Sequence, residues 1–160
     1  MTPATRDVLL TKLRDQFGDR VSTGDSVREI HSRGESHHAG VLPDAVVFPT
    51  STQDVQAIVR SCAEFRCPMT AFGAGSSLEG HVVPLHGGIT IDLTRMNRVL
   101  RLSVEDLDVT VEAGITRKQL DKHLQSTGLW FPLDPGADAT IGGMAATRAS
   151  GTTAVGAFVQ

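Results

Sequence analysis

Apolar residues recur at helical spacing in two early parts of the chain. A first helix is predicted over residues 5–17, where apolar positions lie three or four apart and Gly18 follows as a helix stop. A second helix is predicted after Ser51 and Asp54, which form a Ser-x-x-Asp capping signature, and it ends near Arg66, before Pro68. Its apolar face consists of Val55, Ile58, Val59 and Cys62.

Short apolar runs bounded by proline, glycine or polar turns predict strands. The runs at residues 45–48 and 69–72 flank the second helix, so the three elements predict a parallel, right-handed β-α-β unit. Alternating runs at residues 89–93, 98–104 and 107–113 follow one another and predict a meander. Together these elements predict an α+β fold.

The remaining segments are less regular. Residues 21–40 predict a short helix followed by a polar loop. Thr116 and Gln119 predict the cap of a further helix that Gly128 closes. Residues 130–136 predict a proline-punctuated extended segment, and residues 139–156 are almost all small. Small residues let the backbone approach a large flat ligand or a phosphate; the alternative is a flexible, low-complexity end.

Composition excludes several classes of protein. The 160 residues carry a net charge of −3 and no basic block, which disfavours a nucleic-acid partner. No apolar run approaches the roughly 20 residues that span a bilayer, and no signal peptide is evident at the start. Cys62 and Cys67 are too few for a disulfide framework, so a reducing compartment is expected, and Cys62 is read as a core residue rather than a nucleophile.

Adjacent histidines in the polar loop, His37 and His38, raise the question of a metal site. In an extended loop we expect their side chains to point apart, and no carboxylate or cysteine lies at ligand spacing. A solvated or packing role is therefore favoured, and no metal site is predicted.

The most distinctive chemistry lies in residues 69–80, where a short apolar run enters a turn rich in glycine and serine. Such a turn leaves main-chain N–H groups uncovered and suits a phosphate. A Rossmann fingerprint is excluded, because Leu78 stands where its third glycine belongs and no long helix follows. A Walker loop is excluded, because no Lys-Ser or Lys-Thr follows Gly80. The remaining alternative is a tight loop without a ligand.

Taken in order, several short motifs resemble the FAD-binding domain of the vanillyl-alcohol oxidase and p-cresol methylhydroxylase (PCMH) superfamily, most closely the D-lactate dehydrogenase (cytochrome) and glycolate oxidase group. The matching motifs lie at residues 49–55, 72–80, 88–93, 111–114, 128–132, 134–138, 141–146 and 149–152. The resemblance implies a PCMH-type domain over residues 43–160, consisting of a small β-α-β subdomain and the start of a mixed-sheet subdomain, after an N-terminal helical segment at residues 1–42.

The resemblance also implies which residues contact FAD. The glycine turn wraps the pyrophosphate through Gly73, Ala74, Gly75, Ser76 and Ser77, and Phe72, Gly80 and His81 lie near the cofactor. A second group passes close to the flavin side, a third completes the cradle, and the last pair lines the adenine-side channel. These are, in that order, Pro135, Gly136 and Ala137; Thr140, Ile141, Gly142 and Gly143; and Ser150 and Gly151. From the residues alone, the two small-residue segments are expected to be loops without a helix dipole. His81 and His86 match flavin-linkage positions elsewhere in the superfamily, but non-covalent FAD is favoured.

The implied activity of the intact enzyme is oxidation of a D-2-hydroxy acid, with hydride transfer to the flavin and electrons leaving to a cytochrome, a quinone or another acceptor. The resemblance places the substrate-binding cap and the rest of the FAD domain beyond Gln160, so the chain corresponds to an N-terminal piece and no catalytic base is assigned. The alternatives are a non-catalytic FAD-binding fragment and a non-functional one. The expected location is cytoplasmic or peripheral to the inner membrane.

Overall fold

The computed structural model describes residues 2–151, and these fall into two compact units that divide between Arg95 and Met96. The first unit contains three helices and four strands. In chain order they are α1 (Pro3–Phe17), β1 (Val21–Ser22), α2 (Asp25–Ile30), β2 (Ala45–Val47), α3 (Thr52–Glu64), β3 (Met69–Phe72) and β4 (Ile89–Asp92).

Local sequence explains where the two long helices begin and end. The Thr2 side chain accepts a hydrogen bond from the N–H of Thr5 and caps α1, and Gly18 follows the helix at a φ of 58°. The Ser51 hydroxyl accepts from the N–H of Asp54 and caps α3. Both predicted helices and their signals are confirmed.

The four strands form one sheet in the order β1-β2-β4-β3. β2 and β3 both pair with β4 in parallel, and β1 joins β2 antiparallel. The predicted strands on either side of α3 and their parallel direction are therefore confirmed, with β4 inserted between them. The predicted meander is wrong, because β4 belongs to this sheet and not with the two strands that follow it.

One face of this sheet packs against α1 and α3. Its core residues are Leu9, Leu13, Ala45, Val47, Ile58, Cys62, Ile89 and Ile91. The other face of β4 carries Thr90 and Asp92, which are also buried. Because side chains alternate along a strand, β4 is buried on both faces, as expected for the centre of a parallel sheet.

The second unit is built on a two-stranded antiparallel sheet. Its elements are β5 (Val99–Ser103), β6 (Asp108–Val111), α4 (Arg117–Leu124) and α5 (Ile141–Thr147). Leu120 and Leu124 of α4 are buried with Ile115, against partly buried side chains of both strands. The predicted capping box of α4 is confirmed: Thr116 Oγ1 accepts from the N–H of Gln119, whose Oε1 accepts from the N–H of Thr116.

Two further predictions are corrected by the structure. Residues 21–40 contain the expected short helix, α2, but the strand β1 precedes it. The small-residue segment after Thr140 is not a loop, because Ile141–Thr147 forms α5. The part of that segment at residues 152–156 lies outside the described residues.

A candidate FAD-binding site

The glycine turn comes directly after β3 and folds back on the last residue of that strand. Gly75 has a φ of 72°, in the left-handed region that glycine favours. A Cβ atom on Gly75 would lie 2.9 Å from Cζ of Phe72. The backbone of residue 75 therefore rests on the Phe72 ring, and a larger residue could not keep this geometry.

Main-chain donors in the turn are free of competing partners. Within residues 2–151, the N–H groups of Ala74, Gly75, Ser76 and Ser77 donate to no backbone carbonyl or side chain. The side chain of Ser77 is engaged, since its Oγ lies 2.9 Å from Nδ1 of His81. The turn thus offers consecutive N–H donors to the oxygen atoms of an anion, as a diphosphate requires.

The loop after α2 packs on this turn, which sequence reasoning did not foresee. A Cβ on Gly34 would lie 3.0 Å from the carbonyl oxygen of Gly75, and a Cβ on Gly80 would overlap the ring of His38. The rings of His37 and His38 lie 4.3 Å apart at 33°. The expectation that these histidines point apart is therefore wrong: they stack, and His38 packs against Gly80.

A buried polar pair lies next to Phe72 on the second face of the sheet. Nε2 of His31 is 2.8 Å from Oδ2 of Asp92, and the two residues are only 4% and 5% exposed. The other oxygen of Asp92 accepts from the N–H and the hydroxyl of Thr94, at 2.8 and 2.6 Å. The His31 ring contacts the Phe72 ring, with centroids 4.4 Å apart.

Both ring nitrogens of His31 face acceptors, because Nδ1 lies 2.8 Å from the carbonyl oxygen of Val27. A protonated ring can donate from both nitrogens at once, so the geometry favours an imidazolium. Burial lowers the pKa of His31, but the Asp92 hydrogen bond, the Val27 carbonyl and the Asp92 charge outweigh it, and the pKa is raised. Burial raises the pKa of Asp92, but its hydrogen bonds to His31 and Thr94 outweigh burial, and the net pKa is lowered. Both partners are therefore held in the charged form.

The second unit carries the other predicted cofactor residues, and the main-chain donors of residues 141–143 are occupied. The N–H groups of Ile141 and Gly142 donate to the carbonyls of Ile115 and Ala113, each at 2.8 Å. The N–H of Gly143 donates to Oγ1 of Thr140, which caps α5. The expected absence of a helix dipole is therefore wrong for this segment. Gly142 is needed for packing, since a Cβ there would lie 2.8 Å from the Ala113 carbonyl oxygen.

Asp134 organises the predicted flavin-side residues. Its Oδ1 accepts from the N–H of Gly136 at 3.0 Å, and its Oδ2 lies 3.5 Å from a guanidinium nitrogen of Arg117. Gly136 has a φ of 86°. Gly151 packs so tightly on the backbone of Asp134 that a Cβ would overlap the carbonyl oxygen, whereas Ser150 is exposed. Asp134 thus fixes the turn at Pro135 to Ala137.

Comparison with known proteins identifies the family. Residues 43–157, most of the chain, match the family described as "FAD binding domain". The chain belongs to this family. FAD is therefore its cofactor, and the predicted α+β fold of the PCMH type is confirmed for this FAD-binding domain.

Two curated relatives carry lactate dehydrogenase names. The chain is 51% identical over 148 residues to "Probable D-lactate dehydrogenase, mitochondrial" of Danio rerio, covering 92% of this chain and 30% of the relative. It is 44% identical over 149 residues to "D-lactate dehydrogenase [cytochrome], mitochondrial" of Arabidopsis thaliana, covering 92% and 26%. The predicted resemblance to the D-lactate dehydrogenase group is confirmed, and the chain spans less than a third of the length of these relatives.

A solved structure shows the same fold. Alkyldihydroxyacetonephosphate synthase superposes with a TM-score of 0.83 at 26% identity, covering 91% of this chain and 32% of that one. The match to the FAD-binding domain family extends over parts of both units. In residues 2–151, no helix is both long enough and apolar enough to cross a membrane.

Proposed function

We propose that this FAD-binding domain holds the diphosphate of FAD non-covalently on the glycine turn. The observation that carries the proposal is the run of free N–H groups from Ala74 to Ser77, on a turn whose shape depends on Gly75. Gly73, Gly80 and His81 lie in the same segment and would line the approach to the diphosphate. Ser76 would supply a hydroxyl, and Ser77 keeps its hydroxyl on His81.

Residues 141–143 of the second unit would contact FAD by close approach rather than by main-chain donors. We propose contacts from Pro135, Gly136 and Ala137 on the flavin side, and from Ser150 and Gly151 on the adenine side. Thr140 to Gly143 would offer FAD a backbone surface that includes two glycines. The N–H groups of Ile141, Gly142 and Gly143 would not bond to FAD, because they already donate within the chain. This differs from the phosphate-cradling role that the sequence implies for this segment.

For the whole enzyme we propose oxidation of a D-2-hydroxy acid, with transfer of electrons to a cytochrome, a quinone or another acceptor. When bound, FAD supplies the hydride acceptor for such an oxidation. The relatives named D-lactate dehydrogenase, one of them with "[cytochrome]" in its name, support this substrate class and acceptor. The residues of this chain would bind and orient the cofactor, and none is assigned as a catalytic base.

We further propose a reducing, cytoplasmic location or one peripheral to the inner membrane. Cys62 and Cys67 are both buried free thiols, which is consistent with a reducing compartment.

Absorbance spectroscopy after gel filtration tests the binding proposal. After incubation with FAD, the protein should elute with flavin absorbance in its own peak. Gly75→Val should elute without flavin absorbance, since a branched side chain would displace the turn from Phe72. Gly18→Val is the matched control, because Gly18 also has a positive φ but has nothing within 4 Å of its Cβ position. Equal flavin retention by the two variants would refute the role of the turn.

Two further measurements test whether FAD is bound non-covalently and whether this chain catalyses the reaction alone. Acid precipitation should release all flavin into the supernatant if the cofactor is non-covalent, and flavin that stays with the pellet would point to His81 or His86. Turnover of D-lactate with a dye acceptor by this chain alone would show that residues 1–160 suffice for catalysis. Flavin retention without turnover favours the alternative, a domain that binds FAD without catalysing the reaction by itself.

A further inference from the structure

The position of the turn that would hold the diphosphate depends in part on the side chain against which Gly75 packs. Gly75 rests on the ring of Phe72, with its Cβ position 2.9 Å from Cζ. Phe72 is the last residue of β3, and it is only 9% exposed. Any movement of this ring would therefore shift the backbone donors that follow it.

The His31 ring contacts the Phe72 ring. The ring centroids lie 4.4 Å apart at an angle of 53°. His31 is itself held at both nitrogens, by the Val27 carbonyl and by the carboxylate of Asp92 at the end of β4. Asp92 is held in turn by two hydrogen bonds from Thr94.

This arrangement connects three elements that are distant in sequence. The end of α2, the end of β4 and the end of β3 meet at one buried imidazolium. A buried ion pair is costly to form, and a hydrophobic pair of the same size would often stabilise a core equally well. Its value here therefore lies in a fixed geometry next to the turn rather than in stability alone.

We propose that His31 is a positioning residue for FAD binding: the ion pair with Asp92 fixes the Phe72 ring on which the diphosphate turn rests. This inference depends on the proposed function, because it assigns a role to residues that do not themselves touch FAD. His31 is not among the residues that the sequence resemblance implies as cofactor contacts.

The proposal predicts a pH dependence of FAD affinity. Within residues 2–151, Asp92 is the only charged group that bonds to the His31 ring. The other ring neighbours are Phe72 and, at 6.0 Å, Phe48, whose far contact is the Arg95 guanidinium, 4.5 Å from the Phe48 ring centroid. The raised pKa of His31 means that its charge is complete below about pH 6.5 and is lost only as the pH rises through the higher folded value. FAD should therefore bind most tightly at and below about pH 6.5 and more weakly at alkaline pH.

Titration of the chain with FAD, followed by flavin fluorescence from pH 6 to about 9.5, tests the proposal. The wild-type dissociation constant should rise at alkaline pH by up to about tenfold per pH unit. His31→Gln should weaken binding about ten- to a hundredfold at about pH 6.5 and remove that alkaline dependence, because the amide cannot carry the charge. Asp92→Asn should act in the same direction. His123→Gln is the matched control, since His123 is exposed on α4, and it should retain the wild-type profile.

The outcomes separate this inference from the function on which it rests. A wild-type chain that takes up no FAD would overturn the proposed function. A wild-type chain that binds FAD, with a folded His31→Gln variant of equal affinity and unchanged pH profile, would overturn only the positioning role. If His31→Gln does not fold, the wild-type profile decides: the loss of affinity must coincide with deprotonation of His31 seen in its imidazole ¹⁵N resonances, and a mismatch would overturn the proposal.

Discussion

Gly88, immediately before β4, offers a quantitative test of the sheet's geometry. It has a φ of 79°, and a Cβ atom there would overlap the carbonyl oxygen of Pro68. That carbonyl accepts from the N–H of Ile89 at 2.9 Å. Gly88 also donates to Oδ2 of Asp44 at 3.0 Å, and its own carbonyl accepts from the N–H of Asp44 at 2.7 Å.

Gly88→Ala should therefore destabilise the first unit far more than a positive φ alone explains. The left-handed conformation costs about 1–2 kcal/mol for a residue with a Cβ. Relief of the overlap requires movement away from Pro68, which would break at least two of these hydrogen bonds at about 1 kcal/mol each. The expected loss is about 3–4 kcal/mol, a large share of the roughly 5–15 kcal/mol that stabilises a typical domain.

Gly87→Ala is the matched control, because Gly87 has a φ of 66° but its Cβ position has only Asp44 Oδ2 nearby, at 3.6 Å. It should cost about 1–2 kcal/mol, from backbone strain alone. Urea unfolding followed by circular dichroism at 222 nm measures both variants, since α1 and α3 of the same unit supply much of the helical signal. Equal losses at the two positions would refute the argument that Pro68 requires glycine at residue 88.

Three further predictions concern caps, core and acid. Thr116→Ala should remove the capping box of α4 and cost about 1 kcal/mol in the same urea assay, whereas Thr110→Ala, exposed on β6, should cost much less. Leu13→Ala should cost about 2–5 kcal/mol, because Leu13 is completely buried between α1 and the sheet, and a loss below 1 kcal/mol would contradict that packing. Because the pKa of Asp92 is lowered in the folded state, its charge stabilises the fold at pH values above its unfolded pKa of about 3.9. That stability is lost as the pH falls through the folded pKa, so Asp92→Asn should flatten the acid limb of a plot of stability against pH.

The sequence predicts elements whose signals are local. The helices α1, α3 and α4 each have a cap or stop residue within a few positions of their apolar face, and the structure places them accordingly. The glycine turn is also recognisable, because its glycines and serines are contiguous. The same reasoning assigned β4 to a meander, because Ile89 to Leu93 alternates like a half-exposed antiparallel strand.

The features that sequence reasoning missed depend on distant residues. His31 and Asp92 are 61 positions apart, and each lies in a segment that reads as polar or half-exposed. Asp92 is buried where His31, at the end of α2, packs against the second face of the sheet. Likewise, Gly142 and Gly143 disfavour a helix, yet α5 forms because Thr140 caps it and the Ala113 and Ile115 carbonyls accept its first N–H groups.

The insertion of β4 between β2 and β3 has a consequence for synthesis on the ribosome. A nascent chain that has reached residue 72 contains β2, α3 and β3, but β4, the strand that lies between β2 and β3 in the sheet, has not yet been made. Their edges stay open until residues 89–92 leave the exit tunnel, so we expect the first unit to fold late and in one step. Stalled chains that expose residues 1–80 should be cleaved readily by protease, and chains that expose residues 1–95 should resist it.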